Sequence, residues 1–405
     1  MTSTKDAVPE TLTRRGLHRV LAVLCVTEVT SWGVLYYAFP VLAPAIGADT
    51  GWSASTITAA FSASQATAAL VGVPVGRLLD RWGPRLVMSV GSALAGPALV
   101  TIATARSLAW FLTGWVLTGV AMAAVLYQPA FAALTRWWGP RRVTALTGLT
   151  MVAGLASTIF APLTATLGTH LGWRHAYLVL AAGLAAITVP AHAFGLAGRW
   201  PRAGTARRSD RSPDPGPVAR SRPFVLLAVA LSLGSFAVYA VVIDLVPLLI
   251  ERGLSTGTAA WALGLGGLGQ LCGRMGYPRL VAHTGVRIRT AAVLGATSIS
   301  IGLLAVLPGP AGALIAVAVL VGATRGIFTL LAATAISDRW GTAHYGRLNG
   351  VLSAPVLLAT SIAPWAGTVL AELLGGYPAA FAVLAGCGGL ATILTAYTAP
   401  APRAG

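Results

Sequence analysis

Long apolar segments alternate with short polar segments along the chain, and the arginines are concentrated in the polar segments. A helix that crosses the hydrocarbon layer of a bilayer needs about 20 apolar residues. The pattern therefore predicts twelve membrane-spanning helices, which cover Val20–Pro44, Ser53–Val75, Leu86–Ala105, Ser107–Thr135, Val143–Leu167, Ala176–Ala197, Pro223–Ile250, Thr256–Val281, Thr290–Leu307, Ala311–Ser337, Leu348–Leu370 and Tyr377–Tyr397.

The polar segment from Gly198 to Arg222 differs from the other breaks, because it is longer and rich in Arg, Pro, Ser and Gly. A segment of this composition cannot bury a core, so it is interpreted as a disordered linker. It divides the chain into an N-terminal six-helix bundle (residues 1–197), a basic cytoplasmic linker (198–222) and a C-terminal six-helix bundle (223–405). The predicted fold class is an all-α membrane protein with two pseudo-symmetric bundles.

The two predicted bundles repeat each other at a constant offset of 202 residues. One register that covers several separate segments indicates a duplication. The matches pair Gly51 with Gly253, Gly83 with Gly285, Arg85 with Arg287, Trp138-Gly139 with Trp340-Gly341, Gly148 with Gly350, and Pro162 with Pro364.

Composition supports lipid as the solvent of this chain. Its 405 residues are 56% hydrophobic and only 10% charged, whereas soluble domains carry about 25% charged residues. The net charge of +17 would suit nucleic acid, but arginine clusters on alternate breaks are typical of cytoplasmic membrane loops. We therefore expect a lipid bilayer and no nucleic acid as partner, both termini in the cytoplasm, and a monomer in the plasma membrane. The nearly lysine-free composition favours a bacterial inner membrane.

The most specific motif is the stretch from Gly76 to Arg85, GRLLDRWGPR. It resembles the G-x-x-x-D-R-x-G-x-R motif between the second and third spans of the major facilitator superfamily. The resemblance implies the two-bundle transporter fold and a conformational latch formed by Gly76, Asp80, Arg81, Gly83 and Arg85.

In that superfamily the acid at the position of Asp80 binds across the interface between the halves and holds the outward-facing state. A carboxylate near a helix N-terminus with flanking arginines would gain charge-assisted hydrogen bonds. The second half has Ala282 at the equivalent position, so the latch is expected to be one-sided. The alternative is an ordinary basic loop with an incidental acid.

Within the superfamily, two segments are similar to the branch of monocarboxylate porters and oxalate/formate exchangers: TEVTSWGVLYYAFPVLAP and RWWGPRRVTALTGLTMVAGL. Eukaryotic carriers of that branch have Asp-x-x-x-Arg in the eighth span, where the arginine meets the substrate carboxylate. Arg274 matches that arginine and Gln270 departs from the acid, which puts a proton relay at this pair in doubt. Drug/proton antiporters are the rival. Phe160-Ala161-Pro162 keeps the proline of their signature and lacks its glycines.

Few charges lie within the predicted spans, and each costs about 3 kcal/mol at the bilayer centre. Glu28 is interpreted as a proton or substrate-cation site, or as a packing acid kept neutral. Arg325 is an anion site or the partner of a structural pair with Glu28 or Asp244. Arg274 either binds the anion or extends to the cytoplasmic interface. Asp244, near the outer end of its span, is a gate or a coupling residue.

Other polar residues and glycines in the spans have more ordinary interpretations. Side chains predicted to face the cavity, with interhelical hydrogen bonding as the alternative, are Tyr36, Tyr37, Gln65 and Gln128. The G-x-G-x-x-G stretch from Gly264 to Gly269 lies inside a span, so it predicts helix packing and not a dinucleotide site. Gly72-x-x-x-Gly76 and Gly269-x-x-x-Gly273 predict close helix contacts.

The sequence thus predicts a secondary transporter of a small organic anion, most similar to a monocarboxylate, that works by proton symport or exchange through alternating access. Arg274 and Arg325 would hold the anion and Glu28 the coupling proton. Proton-coupled efflux of a hydrophobic drug or metabolite is the alternative, and a non-transporting membrane sensor a remote one. No enzymatic activity, cofactor or metal is expected. Lys5 is the only lysine, so a P-loop is excluded.

Overall fold

The computed structural model describes residues 12–198, 200, 216–341 and 345–398, and in this part of the chain it contains helices and no strand. The predicted all-α class is confirmed. The first half comprises α1 Arg14–Trp32, a π-helical segment Gly33–Tyr37, α2 Ala38–Thr50, α3 Ala54–Trp82, α4 Pro84–Ala103, α5 Leu108–Val125, α6 Tyr127–Trp138, a 3-10 turn Gly139–Arg141, α7 Arg142–Ala153 and α8 Ala156–Gly195. The second half comprises α9 Gly216–Ala219, α10 Arg222–Glu251, α11 Thr256–His283, α12 Val286–Val306, α13 Ala311–Thr334, α14 Ser337–Trp340, α15 Tyr345–Leu374 and α16 Tyr377–Thr395.

Ten helical segments of the described chain are long and apolar enough to cross a membrane. One of them, Arg142–Gly195, has 54 residues and contains non-helical backbone at Gly172, where φ is +76°. It therefore includes both the fifth and the sixth predicted spans. Helix α11 is not among the ten, although its 28 residues are long enough, because glycines, Gln270 and Arg274 make it less apolar. The structure is consistent with the twelve predicted spans.

The polar breaks are shorter than the sequence predicted. The second predicted span ends at Val75, whereas α3 continues to Trp82 and α4 begins at Pro84. Only Gly83 separates the two helices, so the arginine-rich motif is helical and is not a loop. The prediction counted only apolar residues. It therefore did not include the charged last turns of the helices. Most of the predicted linker lies outside the described residues; its described part includes α9 and the first residue of α10.

Equivalent positions in the two halves adopt equivalent structures. Gly51 and Gly253 both have positive φ, +72° and +87°, which a residue with a side chain rarely adopts. The Arg85 Nε donates a hydrogen bond to the Ala193 carbonyl at 2.7 Å, and Arg287 donates to the Ala396 carbonyl. The offset predicted from sequence therefore also relates these turns and the donors of the two hydrogen bonds, whose acceptors differ from it by one residue.

The two halves contact each other mainly along two helix pairs, α3 with α15 and α8 with α11, and to a smaller extent between α2 and α10. At the arginine-poor end, where α2 turns into α3 and α15 into α16, Glu372 Oε1 accepts a hydrogen bond from Ser55 N at 2.9 Å. This carboxylate satisfies a free amide in the first turn of α3. Closer to the middle, Trp365 N donates to Ser62 Oγ at 3.1 Å. These two bonds join the halves at and near the arginine-poor end.

Helices α11 and α13 approach so closely that only glycine fits between them. A Cβ on Gly322 would lie 1.9 Å from the Gly266 carbonyl oxygen, and one on Gly269 would lie 2.1 Å from the Val319 carbonyl oxygen. The predicted contact at Gly269-x-x-x-Gly273 is thus confirmed, with Gly273 against the backbone of Ala323. The two helices carry Arg274 and Arg325, so this contact places the buried arginines beside each other.

The other predicted small-residue contact is wrong at one of its two positions. A Cβ on Gly72 would lie 3.1 Å from Gln128 Oε1, but nothing lies within 4 Å of a Cβ on Gly76. Spacing alone does not show which face of a helix meets a neighbour. Gly264, in the G-x-G-x-x-G stretch, packs against Ser157 of α8, as expected of a packing glycine.

We expect Gly322→Ala to lower the free energy of unfolding by about 1–3 kcal/mol, the usual cost of overpacking, because the new methyl group would overlap the α11 backbone. Gly276→Ala, on α11, is the matched control. Nothing lies within 4 Å of a Cβ at Gly276, and alanine favours a helix. Thermal unfolding of both variants in detergent checks this expectation, and equal midpoints would contradict it.

Candidate functional site

Three helices of the first half are interrupted at one depth in the bundle. The π-helical segment Gly33–Tyr37 joins α1 to α2, Leu126 separates α5 from α6, and Gly154 and Leu155 separate α7 from α8. Gly33 is required because Phe160 packs so closely that a Cβ there would lie 2.1 Å from its ring. Interrupted helices of this kind commonly surround binding sites in membrane transporters.

A cavity of about 60 Å³ lies at these interruptions, between the two halves. Its wall combines two buried guanidinium groups with an amide and three phenol rings. These side chains are Arg274, Arg325, Gln270, Tyr37, Tyr127 and Tyr239. We call it the arginine compartment. Sequence reasoning predicted the two arginines, Gln270 and Tyr37, and the structure brings all four together.

Arg325 is held by tyrosines and not by an acid. Its side chain is buried, and Nη2 donates a hydrogen bond to the Tyr37 hydroxyl at 3.0 Å. The guanidinium carbon lies 5.8 Å from the Tyr37 ring centroid and 5.7 Å from that of Tyr239, within cation–π range. Its Nε has no hydrogen-bond partner. At least one donor of this cation, which lines the cavity, is therefore without a partner among the described residues.

Arg274 reaches across the interface to the interruption in the first half. It donates a hydrogen bond to the Thr150 carbonyl oxygen, one turn before Gly154, and its Nε has no partner. A Cβ on Gly154 would lie 3.2 Å from Arg274 Nη1, so a small residue keeps this approach open. Arg274 is buried and does not extend to the aqueous interface, which was its alternative interpretation.

Neither arginine forms an ion pair. The ion pairs of the described chain join Arg136 to Asp80, Arg174 to Asp49, and Arg289 to Asp338. The structural pair of Arg325 with Glu28 or Asp244, one of the two interpretations of Arg325, is therefore absent. Two buried cations with neutral partners only are costly unless an anion joins them.

Glu28 lies in the same region but separate from the arginines. Its side chain is fully buried, and neither carboxyl oxygen has a well-formed hydrogen bond among the described residues. The polar neighbour of this carboxyl on α1 is the Trp32 indole, which lies one turn along the same face. The Tyr127 hydroxyl is within electrostatic reach of Glu28, Arg274 and Arg325. Tyr127 is thus the common neighbour of the acid and the two cations.

A second cavity, of about 290 Å³, adjoins the first. Trp32, Tyr127 and Tyr239 line both cavities. The second one also has Gln65 and Gln128 in its wall, as predicted, together with Thr360 and Ser361. We call it the amide compartment.

Tyr36 does not line either compartment, contrary to prediction. It is 1% exposed and packs edge-on against Trp32 and Phe61. The two adjacent tyrosines of the π-helical segment have different environments, and of the two only Tyr37 forms a hydrogen bond with Arg325. The residues that sequence reasoning missed are Trp32, Tyr127, Tyr239, Thr329, Thr360 and Ser361. Their only sequence signal is a polar atom on a span, which many residues in this chain share.

Asp244 is in a different place from the arginines. It is 1% exposed, and Oδ1 accepts a hydrogen bond from Thr368 Oγ1 at 2.8 Å. It lines a separate cavity of about 390 Å³ near the arginine-poor end, together with Glu251 and Tyr377. Whether it acts as a gate or in coupling stays a prediction.

The latch motif is assembled within the first half. Asp80 pairs with Arg136 of α6, and Trp200 Nε1 donates to the Asp80 carbonyl oxygen at 3.2 Å. The Arg136 guanidinium lies 4.6 Å from the Trp200 ring centroid. Asp80 lies in the last turn of α3 and not at a helix N-terminus, where it was expected. Its partner belongs to the first half and not to the second.

The remaining motif residues have local roles. Gly83, with φ of +79°, makes the turn between α3 and α4, and Trp200 packs on it. The Arg81 guanidinium lies 5.9 Å from the Trp82 ring centroid. The role of Asp80 in holding the outward-facing state stays a prediction, since its partner in this structure is Arg136 of the same half.

Comparisons with known proteins agree with this architecture. Residues 24–312 match the family model described as Major Facilitator Superfamily. The chain is 28% identical over 351 residues to monocarboxylate transporter 11 of Homo sapiens, which covers 82% of this chain and 71% of that protein. The predicted resemblances to the superfamily and to its monocarboxylate porters are thus confirmed.

Two solved structures share the fold at 15% sequence identity. The nucleoside transporter NupG superposes with a TM-score of 0.76, covering 94% of this chain and 99% of that one. A bacterial homolog of the human lysosomal transporter Spinster, inward-facing and occupied, superposes with a TM-score of 0.71, covering 96% of this chain and 97% of that one.

We expect Tyr37→Phe to destabilise the protein, because it removes the only hydrogen-bond acceptor of Arg325 in the described structure. A hydrogen bond to a charged group contributes about 1.5–3 kcal/mol. Tyr36→Phe is the matched control, since its hydroxyl is buried without a partner and its loss should leave the unfolding midpoint unchanged or raise it. Thermal unfolding in anion-free buffer checks the difference, and a larger loss for Tyr36→Phe would contradict the assignment.

Proposed function

The chain belongs to the major facilitator superfamily of membrane transporters, and we propose that it carries a small organic anion, similar to a monocarboxylate, by alternating access. Coupling is by proton symport or by exchange for another anion. Members of this family are transporters and not enzymes. The observation that supports an anionic substrate is the presence of two buried guanidinium groups in one cavity, neither paired with a carboxylate.

A carboxylate is a small anionic group that fits this arrangement. A guanidinium stays charged at any relevant pH and binds two carboxylate oxygens through parallel N–H donors. Arg274 and Arg325 each have an Nε without a hydrogen-bond partner among the described residues, and both side chains line the same cavity. An incoming carboxylate would satisfy donors that are buried and unpaired in its absence.

The same contacts link binding to the movement of the halves. Arg274 and Arg325 are in the second half, whereas Thr150 and Tyr37, their partners, are in the first. A carboxylate that binds both cations can replace the hydrogen bonds that they now form with the Thr150 carbonyl and the Tyr37 hydroxyl. A ligand shifts a conformational equilibrium only through such differences in interaction between states. The anion would therefore permit the rocking motion that exposes the cavity to the other side.

Glu28 is proposed to carry the coupling proton. It is fully buried, and Tyr127 interacts electrostatically with Glu28 and with both arginines. A charged Glu28 would repel the substrate carboxylate and compete for the arginines. Protonation removes that repulsion, so proton and anion would enter the site together.

We place the protein in the plasma membrane, as a monomer in a bacterial inner membrane with both termini in the cytoplasm. The asymmetry of basic residues supports this orientation. On the side opposite the termini, the predicted loops carry only Arg106, Arg174 and Arg252. Two of these three donate to backbone carbonyls at the end of a neighbouring helix: Arg174 to Ala103 and Ala105, and Arg252 to Ala305.

Replacing either buried arginine should reduce anion uptake. We expect Arg325→Ala and Arg274→Ala each to lower kcat/KM for carboxylate uptake into proteoliposomes by at least about tenfold, the equivalent of 1.4 kcal/mol of lost interaction. Arg279→Ala is the matched control, because Arg279 is an exposed cation on α11 outside both compartments. Radiolabelled acetate, lactate and benzoate are the probes. Unchanged uptake of all three by Arg325→Ala would overturn the anion site, and retained transport of hydrophobic compounds would then favour drug efflux.

Replacing Glu28 should separate proton coupling from anion binding. If wild-type uptake rises as the outside pH is lowered, we expect Glu28→Gln to abolish that rise, because the amide cannot release a proton. Exchange of labelled for unlabelled anion across the membrane needs no net proton movement, so it should persist in the variant. Asp49→Asn, at an exposed acid paired with Arg174, serves as control. The same pH dependence in Glu28→Gln as in the wild type would exclude Glu28 as the coupling site.

A further inference from the structure

The two compartments of the central cavity differ in size and chemistry. The arginine compartment, about 60 Å³, contains both guanidinium groups, and the amide compartment, about 290 Å³, contains none. Three aromatic side chains, Trp32, Tyr127 and Tyr239, border both spaces. A ligand that fills the cavity therefore has a charged head, a middle part that passes between aromatic rings, and a larger far end.

Size assigns each part of such a ligand to one compartment. A protein cavity of about 150 Å³ is sufficient to hold benzene. The arginine compartment is smaller than this and accommodates a carboxylate head only. The amide compartment is larger and accommodates a substituted six-membered ring. Acetate or lactate would occupy the first compartment and leave the second without any contact.

The walls at the junction favour a flat ring. Trp32 and Tyr127 pack beside each other in the first half, with ring centroids 5.0 Å apart. Tyr239 contributes a third ring from α10 in the second half. Aromatic rings associate with one another in edge-to-face and offset arrangements beyond simple area burial. A ring attached directly to the carboxylate would lie between these side chains while its head contacts the arginines.

The far end of the amide compartment offers hydrogen-bond acceptors. The hydroxyls of Thr360 and Ser361 donate to the Leu357 carbonyl oxygen of their own helix, at 2.9 and 2.8 Å. Their donors are therefore used, and their oxygen lone pairs can accept from a ligand. Gln65 adds an amide on the opposite half. A ligand group that donates a hydrogen bond, such as a hydroxyl or an amine, suits this end.

We propose that the substrate is an aryl carboxylate that carries a hydrogen-bond donor on the ring, opposite the carboxylate. This inference rests on the anion transport proposed above and specifies the chemical class that the site selects. The arginines bind the head, Trp32, Tyr127 and Tyr239 bind the ring, and Thr360, Ser361 and Gln65 bind the distal hydroxyl or amine.

Binding of a ligand series to the wild-type protein tests the class directly. The probes are 4-hydroxybenzoate, benzoate, cyclohexanecarboxylate, lactate and neutral 4-hydroxybenzyl alcohol, measured by calorimetry on purified protein in detergent. We expect 4-hydroxybenzoate to bind at least tenfold more tightly than lactate, benzoate more tightly than cyclohexanecarboxylate, and the alcohol not to bind. Lactate binding as tightly as 4-hydroxybenzoate would overturn the aryl inference and leave anion transport intact. Absence of binding by every carboxylate would overturn both.

Variants of the two ends assign the preferences to residues. Gln65→Leu combined with Thr360→Val is expected to reduce the ratio of 4-hydroxybenzoate to benzoate affinity at least fivefold. Tyr127→Leu is expected to reduce the ratio of benzoate to cyclohexanecarboxylate affinity. Trp261→Leu, at an exposed aromatic residue of α11 outside both compartments, is the control and should retain both ratios. Ratios unchanged in the two site variants, with an unfolding midpoint equal to that of the wild type, would overturn the assignment.

Discussion

Two positive charges buried in the middle of an apolar protein, with no negative charge beside them, constrain the whole structure. Burial of an unpaired ion is costly, and the protein reduces that cost only in part. Arg325 is surrounded by phenol rings and one hydroxyl, and Arg274 contacts a single backbone carbonyl. Such partners are weaker than a carboxylate and are readily exchanged. A salt bridge at the same place would be more stable and would leave nothing for an anion to bind.

The glycines of α11 and α13 determine where these charges are. Backbone contact between the two helices at Gly266, Gly269 and Gly322 leaves little freedom in the spacing of the side chains that project from them. The first half provides the opposite wall through interrupted helices, which make backbone carbonyls and aromatic side chains available at the same depth. The second half, which carries both buried arginines on two closely packed helices, thus faces the interrupted helices of the first half.

The ends of the molecule differ from each other. At the arginine-poor end, backbone-to-side-chain hydrogen bonds join the halves, such as that of Ser55 with Glu372. At the arginine-rich end, Asp80 pairs within its own half, and Trp200 covers the pair. The motif implies that Asp80 binds the other half in the outward-facing state. When it does not bind there, the carboxylate needs another partner, and Arg136 is that partner in this structure. The position of Asp80 is therefore compatible with the latch that its motif implies.

Much of this protein could be read from its sequence, because lipid imposes simple rules. Apolar runs of the required length predicted the helices, the constant offset predicted the repeat, and the cost of charge in lipid singled out Glu28, Arg274, Arg325 and Asp244. One motif identified the family. These features are local, and a linear pattern contains them.

Only the tertiary structure decided which of these residues act together. Two of the four charges share a compartment, Glu28 lines neither compartment, and Asp244 lines another cavity. Tyr36 and Tyr37 are adjacent in sequence, yet one packs in the core and the other reaches Arg325. The reason is physical: the direction of a side chain depends on helix rotation and on interruptions such as the π-helical segment, which are set by packing between distant helices.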